Sequence, residues 1–173
     1  DGFQDNAIFK NLSIICFNQR QLIGNGLVIP AGPLRENLSS LKKANIVIIN
    51  GKRNEQFENK VLDLNKSLSI FYSNYEPLNI DRFLGKKIVA IAGIGNPTNF
   101  FNLLEDFKVN VVEKHEFPDH YEFSKSELTS IMENAKKNDY QILMTEKDYF
   151  RVKKFKLEDL DYLKVVLKIN EKE

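Results

Sequence analysis

The sequence predicts an α/β fold in which a mainly parallel sheet is flanked by helices. Short runs of Ile, Val, Leu and Phe alternate along the chain with segments of helical periodicity. Most of these runs lack polar alternation, which is typical of strands buried on both faces. Strands that alternate with helices indicate βαβ units. The clearest predicted strands are residues 12–17, 46–49, 68–72, 88–92 and 142–144, with 109–112 and 165–169 as further candidates, the last more edge-like.

Three segments between these runs have the spacing of amphipathic helices. Residues 37–44 and 97–107 each place Leu or Phe side chains on one face. Residues 125–137 do the same, with Ser124 or Ser126 as the cap and lysines in the last turn, where they complement the helix dipole.

A linker is predicted over residues 72–82, because Pro77 and Asn79 interrupt the pattern there. We therefore predict two parts, residues 1–75 and residues 76–173. The total of 173 residues is sufficient for a sizeable core.

Composition narrows the classes of function. The net charge of +1 creates no global field that would favour nucleic acid. The single cysteine, Cys16, cannot form an intramolecular disulfide and is predicted to be a small buried core residue. We expect no membrane-spanning segment, since no run of about 18 apolar residues occurs, and we see no signal peptide.

Two segments in the first part carry candidate ligand-binding residues. Asp1, followed by Gly-Phe-Gln, could hold a metal ion at the end of a strand, although a surface position is the simpler interpretation. Residues 24–36 contain three glycines and two prolines within ten positions, which predicts a rigid loop. Arg35 could bind a phosphate or pair with Glu36, and a purely structural turn is the alternative.

The predicted strand 88–92 runs into Gly93-Ile94-Gly95 before a helix. This order is similar to a dinucleotide-binding turn, but Thr98 stands where the third glycine is expected. A structural turn is the favoured interpretation, and a non-enzymatic nucleotide-binding module remains the alternative.

Two polar segments follow later strands. His120 next to Asp119 could act as a general base or support one, because histidine titrates near neutrality. Residues 145–148, Thr-Glu-Lys-Asp, follow the strand 142–144 and could either line a site or cap a helix. A structural or interaction domain without catalysis is the third alternative for the chain as a whole.

Taken together, these segments resemble the tetraacyldisaccharide 4'-kinase family in order and spacing. Residues 29–36 are similar to its Leu-Pro-Ala-Gly-Pro-Leu-Arg-Glu motif, and Asp1 corresponds to the second acid of Asp-Asp-Gly-Phe-Gln. The other matching segments are residues 44–51, 92–101, 117–123 and 145–148.

The resemblance implies a kinase that transfers the γ-phosphate of ATP to the 4'-hydroxyl of tetraacyldisaccharide 1-phosphate in lipid A biosynthesis. It implies a P-loop NTPase-like core, ending within residues 1–75, with a smaller α/β subdomain. Asp1 would lie near Mg²⁺, and His120 with Asp119 would assist catalysis. Asn25, Arg35 and Glu36 would shape the acceptor side. The enzyme would work at the cytoplasmic face of the inner membrane of Gram-negative bacteria, contacting it through an upstream segment.

The chain departs from the family pattern in one respect that matters for activity. Its sequence contains no Gly-x4-Gly-Lys-Ser/Thr motif, whose amides and lysine bind the β- and γ-phosphates. We therefore predict that these 173 residues alone do not phosphorylate the lipid.

Overall fold

The computed structural model describes residues 2–5 and 7–170. The strands are β1 (Ile14–Asn18), β2 (Ile46–Asn50), β3 (Ser69–Pro77), β4 (Lys87–Ala92), β5 (Asn110–Glu116), β6 (Gln141–Thr145), β7 (Leu160–Leu163) and β8 (Val165–Ile169). The α-helices are α1 (Glu55–Leu64), α2 (Pro97–Asp106), α3 (Lys125–Lys137) and α4 (Glu146–Val152). Short 3₁₀ helices cover Leu38–Lys43, Ile80–Arg82 and Lys153–Phe155. The α/β class is confirmed.

Contacts divide the chain into two compact units. The first comprises Asp1–Asn74 with Leu167–Glu173, and the second comprises Tyr75–Val166. The predicted boundary between residues 75 and 76 stays a prediction, since a grouping by contacts does not show where an independently folding domain ends. The segment predicted as a linker is partly strand, because β3 continues to Pro77, where the missing proline N–H falls at the strand's last residue.

The sheet of the first unit has the strand order β1-β2-β3-β8. β1, β2 and β3 are parallel. Two hydrogen bonds flank the pairing of β3 with β8, from Asn170 N to Tyr72 O and from Leu78 N to Lys164 O. Residue numbers rise along β3, from Tyr72 to Leu78, while those of their partners fall, from Asn170 to Lys164. β8 is therefore antiparallel to β3. β8 thus lies at the edge of the sheet, as its sequence predicted.

Helix α1 covers this sheet and was not predicted from the sequence. Asn54 begins it by accepting a hydrogen bond from Phe57 N at 3.0 Å. Phe57 and Val61, one turn apart, are buried, and the Phe57 ring meets the Phe17 ring edge-on at 5.0 Å. Leu62 and Leu64 of the helix are half-buried and pack against the same core.

The prediction that Cys16 is buried is wrong, because the side chain is exposed. Among the described residues, β1 pairs only with β2 and lies at the edge of its sheet. Phe17 faces the core, whereas Ile14 is 46% exposed. Strand β1 therefore alternates in burial instead of being covered on both faces.

The sheet of the second unit has the order β5-β4-β6-β7, and every pairing is parallel. Strand β4 is central, and all its residues after Lys87 are buried. One core includes side chains of α2 and the other includes side chains of α3, and residues of β4 contribute to both. This confirms the prediction that the run 88–92 is covered on both faces.

A register shift between β4 and β5 positions the loop that follows β5. Val111 pairs with Ile88, but Glu113 pairs with Val89, so Val112 is an extra residue. Val111 packs in the core with α2, whereas Phe117 packs in the core with α3. The bulge thus turns the end of β5 towards α3.

Three aromatic rings anchor this loop. Phe117 lies 4.7 Å from the Tyr121 ring and 5.0 Å from the Phe123 ring. Tyr121 and Phe123 meet edge-on at 5.2 Å. Helix α3 then begins with the predicted cap, in which Ser124 Oγ accepts from Glu127 N at 3.1 Å. The rings hold both ends of a short segment that carries Asp119 and His120.

The connections that leave β4 and β6 run in opposite directions. The chain passes from β4 through α2 to β5, then crosses β4 to reach β6 and continues through α4 to β7. In open parallel sheets, ligands bind at the carboxyl ends of the strands at such a switch point. The ends of β4 and β6 are therefore where a site is expected. No helix within the described residues has the length and apolar character needed to cross a membrane.

Candidate active site

Helix α4 begins with a cap formed within the block Thr145 to Asp148. Thr145 Oγ1 accepts a hydrogen bond from Asp148 N at 3.2 Å and donates one to Asp148 Oδ2 at 2.6 Å. This is a relative of the capping box, with Asp in place of the usual Glu or Gln. The Asp148 side chain is fully buried. The cap interpretation of residues 145–148 is thus confirmed.

Asp148 also joins the end of β6 to the end of β4. Its Oδ2 accepts a hydrogen bond from Gly93 N at 2.7 Å. A Cβ at Gly93 would lie 3.1 Å from Phe123 Cζ and 3.3 Å from Asp148 Oδ1, which is tighter than most real contacts. A side chain at this position would require Phe123 or Asp148 to move by a few tenths of an ångström. Because the Gly93 N–H already has a partner, the structure supports a structural turn over a phosphate-binding one.

Arg151 connects the buried carboxylate to His120. Its Nη1 lies 3.3 Å from Asp148 Oδ1 and 3.4 Å from the carbonyl oxygen of Gly93. Its Nη2 lies 3.0 Å from His120 Nδ1. Arg151 thus balances a buried negative charge on one side and orients an exposed imidazole on the other.

Asp119 and His120 contact each other next to Arg151 and Lys147. Asp119 Oδ1 accepts from His120 N at 3.0 Å and from Lys147 Nζ at 3.2 Å, and Asp119 Oδ2 lies 3.7 Å from His120 Nε2. His120 has φ of +62°, a left-handed conformation that is uncommon outside glycine and that collects at functional sites. Its side chain is 74% exposed and so is accessible to a substrate.

The charge of Asp119 is stabilised by its neighbours. The hydrogen bond from Lys147 is the main reason why the pKa of the Asp119 carboxyl is lowered, and the nearby His120 adds to the effect. Asp119 is therefore a carboxylate at neutral pH, able to accept hydrogen bonds but not to donate a proton.

Replacing Lys147 with Met is expected to raise the pKa of Asp119 towards that of an ordinary aspartate. Because the carboxyl pKa is lowered in the folded state, the pair adds stability above the unfolded-state pKa, and this is lost as the pH falls through the folded-state value. Carboxyl ¹³C NMR measures the titration. Lys114→Met, which removes an ion pair with Glu105 on α2, is the control and should leave Asp119 unchanged. An unaltered titration in Lys147→Met would contradict the assignment.

The structure brings together the two residues that were predicted as catalytic, and it adds others. Asp119 and His120 lie with Lys147 and Arg151 at the carboxyl ends of β4 and β6. Arg151 was not singled out in the sequence. Its position three residues after Asp148 on one helix face was the available signal. Asp1, the predicted metal ligand, lies outside the described residues.

The predicted substrate loop of the first unit is closed by internal hydrogen bonds, and Asn25 makes two of them. Asn25 Nδ2 donates to Ala31 O at 2.8 Å, and Asn25 Oδ1 accepts from Leu27 N at 3.1 Å. A Cβ at Gly32 would lie 2.2 Å from Asn25 Oδ1, so the loop closes only around glycine. The Asn25 amide thus bonds within the loop, and its predicted contact with substrate stays a prediction.

Arg35 and Glu36 follow this loop. Arg35 is exposed and Glu36 is half-buried. The carbonyl oxygen of Arg35 accepts a hydrogen bond from Gln4 Nε2 at 3.4 Å, which ties the loop to the N-terminal segment. Their predicted roles in substrate binding stay predictions as well.

The described residues do not form a metal site by themselves. Within residues 2–5 and 7–170, no group of three His, Cys, Asp or Glu side chains is placed to hold a metal ion.

Comparison with known families identifies the chain. The family model described as tetraacyldisaccharide-1-P 4'-kinase matches residues 1–173. The chain belongs to this kinase family. The resemblance seen in the sequence motifs is thus confirmed over the whole chain.

Members of the family from two bacteria illustrate the match. A tetraacyldisaccharide 4'-kinase from Pelagibacter ubique (strain HTCC1062) is 38% identical, with 99% of this chain covering 55% of that protein. One from Haemophilus influenzae (strain 86-028NP) is 36% identical, with 100% of this chain covering 50% of that protein. The chain therefore spans about half the length of these tetraacyldisaccharide 4'-kinases.

A solved structure of the kinase family has the same fold. The crystal structure of LpxK from Aquifex aeolicus in complex with ATP aligns with a TM-score of 0.64 and 23% sequence identity. The alignment covers 98% of this chain and 52% of the LpxK chain. The predicted fold class is confirmed by this likeness.

Proposed function

We propose that the full-length protein containing this chain transfers the γ-phosphate of ATP to the 4'-hydroxyl of tetraacyldisaccharide 1-phosphate in lipid A biosynthesis. Family membership over residues 1–173 carries the proposal. The names of the relatives from Pelagibacter and Haemophilus support it. The clustering of Asp119 and His120 at a topological switch point supports a site in the second unit.

Phosphoryl transfer depends mainly on positioning and electrostatics, and the residues of this site fit such a task. His120 is exposed to substrate, yet its ring is held by Arg151 and its backbone by Asp119. Two positive side chains, Lys147 and Arg151, each lie within 3.3 Å of a carboxylate oxygen, of Asp119 and Asp148 respectively. The site thus keeps its charges balanced while it orients the imidazole.

We assign ATP phosphate binding to the part of the full-length protein outside this chain, because no phosphate-loop motif occurs within it. The crystal structure of the Aquifex relative contains ATP, which supports ATP as the phosphate donor. The proposal also includes Mg²⁺, with Asp1 as one ligand. It places the full-length protein at the cytoplasmic face of the inner membrane.

The direct test is an assay of the purified full-length protein with ATP, Mg²⁺ and tetraacyldisaccharide 1-phosphate. We expect a product one phosphate heavier, detected by mass spectrometry, with the new phosphate at the 4'-position. Residues 1–173 alone, assayed in parallel, should give none. Absence of product from folded full-length protein would overturn the proposal, and product from residues 1–173 alone would overturn the assignment of ATP binding. Flotation with anionic vesicles tests the membrane position. Protein that does not float with the vesicles would contradict that position.

A further inference from the structure

We infer that Arg151 is a positioning residue that holds neutral His120 with its proton on Nε2, so that the ring presents an N–H donor to the reacting groups. The family resemblance assigns His120 to catalysis. The position of its proton, on Nε2 and not on Nδ1, is what the structure adds. Its mechanistic meaning rests on the proposed function, whereas the position of the proton does not.

The partner of His120 Nδ1 can only donate hydrogen bonds. Arg151 Nη2 lies 3.0 Å from His120 Nδ1. A guanidinium remains protonated at any physiological pH and offers only donors. The two nitrogens form a hydrogen bond only if Nδ1 is the acceptor, which places the proton of neutral His120 on Nε2.

The other ring nitrogen of His120, Nε2, lies near the carboxylate of Asp119. Asp119 Oδ2 lies 3.7 Å from His120 Nε2. The pKa of Asp119 is lowered, so this oxygen is a charged acceptor at neutral pH. At 3.7 Å the two atoms do not form a hydrogen bond, but the nearby negative charge favours an N–H over a lone pair at Nε2. Both neighbours of the ring favour the same tautomer.

Arg151 is itself held in place by contacts on the side of its guanidinium away from His120. Its Nη1 contacts Asp148 Oδ1 and the carbonyl oxygen of Gly93. Asp148 is fully buried and is held by the Gly93 N–H and the Thr145 hydroxyl. The guanidinium is therefore tied to the ends of β4 and β6, next to His120 Nδ1.

This arrangement has a consequence for the reaction. With its proton on Nε2, neutral His120 cannot accept a proton at that nitrogen and cannot act there as the general base. It can donate a hydrogen bond to a carboxylate or to a developing negative charge. The charged groups that face the ring are Asp119 from its own loop and Arg151 from α4, with Lys147 of α4 acting through Asp119.

The test is a ¹⁵N NMR measurement of the imidazole tautomer in full-length protein, at a pH where the ring is neutral. The signal that disappears in His120→Gln identifies the residue. We expect a pyridine-type Nδ1 and a protonated Nε2 in the wild type, and a mixture of tautomers in Arg151→Met. Arg82→Met, which breaks an exposed ion pair with Asp161, is the control and should leave the tautomer unchanged.

A protonated Nδ1 in the wild type would overturn the inference. So would a folded Arg151→Met variant that keeps the same single tautomer as the wild type. If Arg151→Met does not fold, a protonated Nδ1 in the wild type still overturns the inference. Kinase assays add a second readout, since loss of positioning should lower kcat with little change in the KM for ATP. Because the tautomer is measured without turnover, a failure of the proposed function is distinguished from a failure of this inference.

Discussion

His120→Ala in the full-length protein is expected to lower kcat by about 10²–10³-fold, the usual loss when one placed hydrogen-bond donor is removed from an active site. The side chain is exposed, so its removal opens no cavity, and it contributes little to the core. We therefore expect an almost unchanged melting temperature. Steady-state kinetics with ATP and tetraacyldisaccharide 1-phosphate measure the effect.

The second histidine provides a matched control. His115 lies on β5 beside Ile91 of β4, and its Nε2 lies 2.8 Å from Glu113, whereas His120 is held by Arg151 and Asp119. His115→Gln should therefore change kcat by no more than a few-fold. Equal losses in both variants would point to a general effect of altered histidines, and full activity in His120→Ala would remove this residue from catalysis.

Asp148→Ala is expected to destabilise the second unit by about 3 kcal/mol, because it leaves a buried donor without its acceptor and removes the partner of Arg151. The Gly93 N–H and the Thr145 hydroxyl both donate to the lost carboxylate, and the cap of α4 is weakened with it. Asp148→Asn keeps the shape but loses one acceptor oxygen, so a smaller loss is expected. Urea denaturation followed by circular dichroism measures the free energy of unfolding.

An aspartate in the same unit serves as the comparison. Asp161 on β7 pairs with Arg82 at 2.7 Å, and the Arg82 side chain is 61% exposed. Surface pairs of this kind contribute about 0–1 kcal/mol, so Asp161→Ala should have a small effect. If Asp148→Ala costs no more than Asp161→Ala, the buried carboxylate does not hold β4 and β6 together as we describe.

Much of the second unit was predictable because its signals are local. Helix α3 begins and ends where its serine cap, apolar spacing and terminal lysines predicted. Strand β4 is buried on both faces, as a continuous apolar run requires. Helix α1 was missed although Phe57, Val61, Leu62 and Leu64 have helical spacing, and in the structure Phe57 and Val61 are buried in the core of the sheet. Helix α4 was proposed only as an alternative, since seven residues give little periodicity.

By itself, the sequence determined the family, the α/β class and the segment that carries Asp119 and His120, since these depend on residue types in fixed order. Only the tertiary structure decided that Asp148 is buried against Gly93, 55 residues away, and that Arg151 reaches His120, 31 residues away. It also decided that Cys16 is exposed, because Cys16 lies on the face of β1 opposite the buried Phe17. The physical reason is common to all three: burial and pairing between distant residues depend on strand order, which a local pattern of apolar and charged residues does not encode.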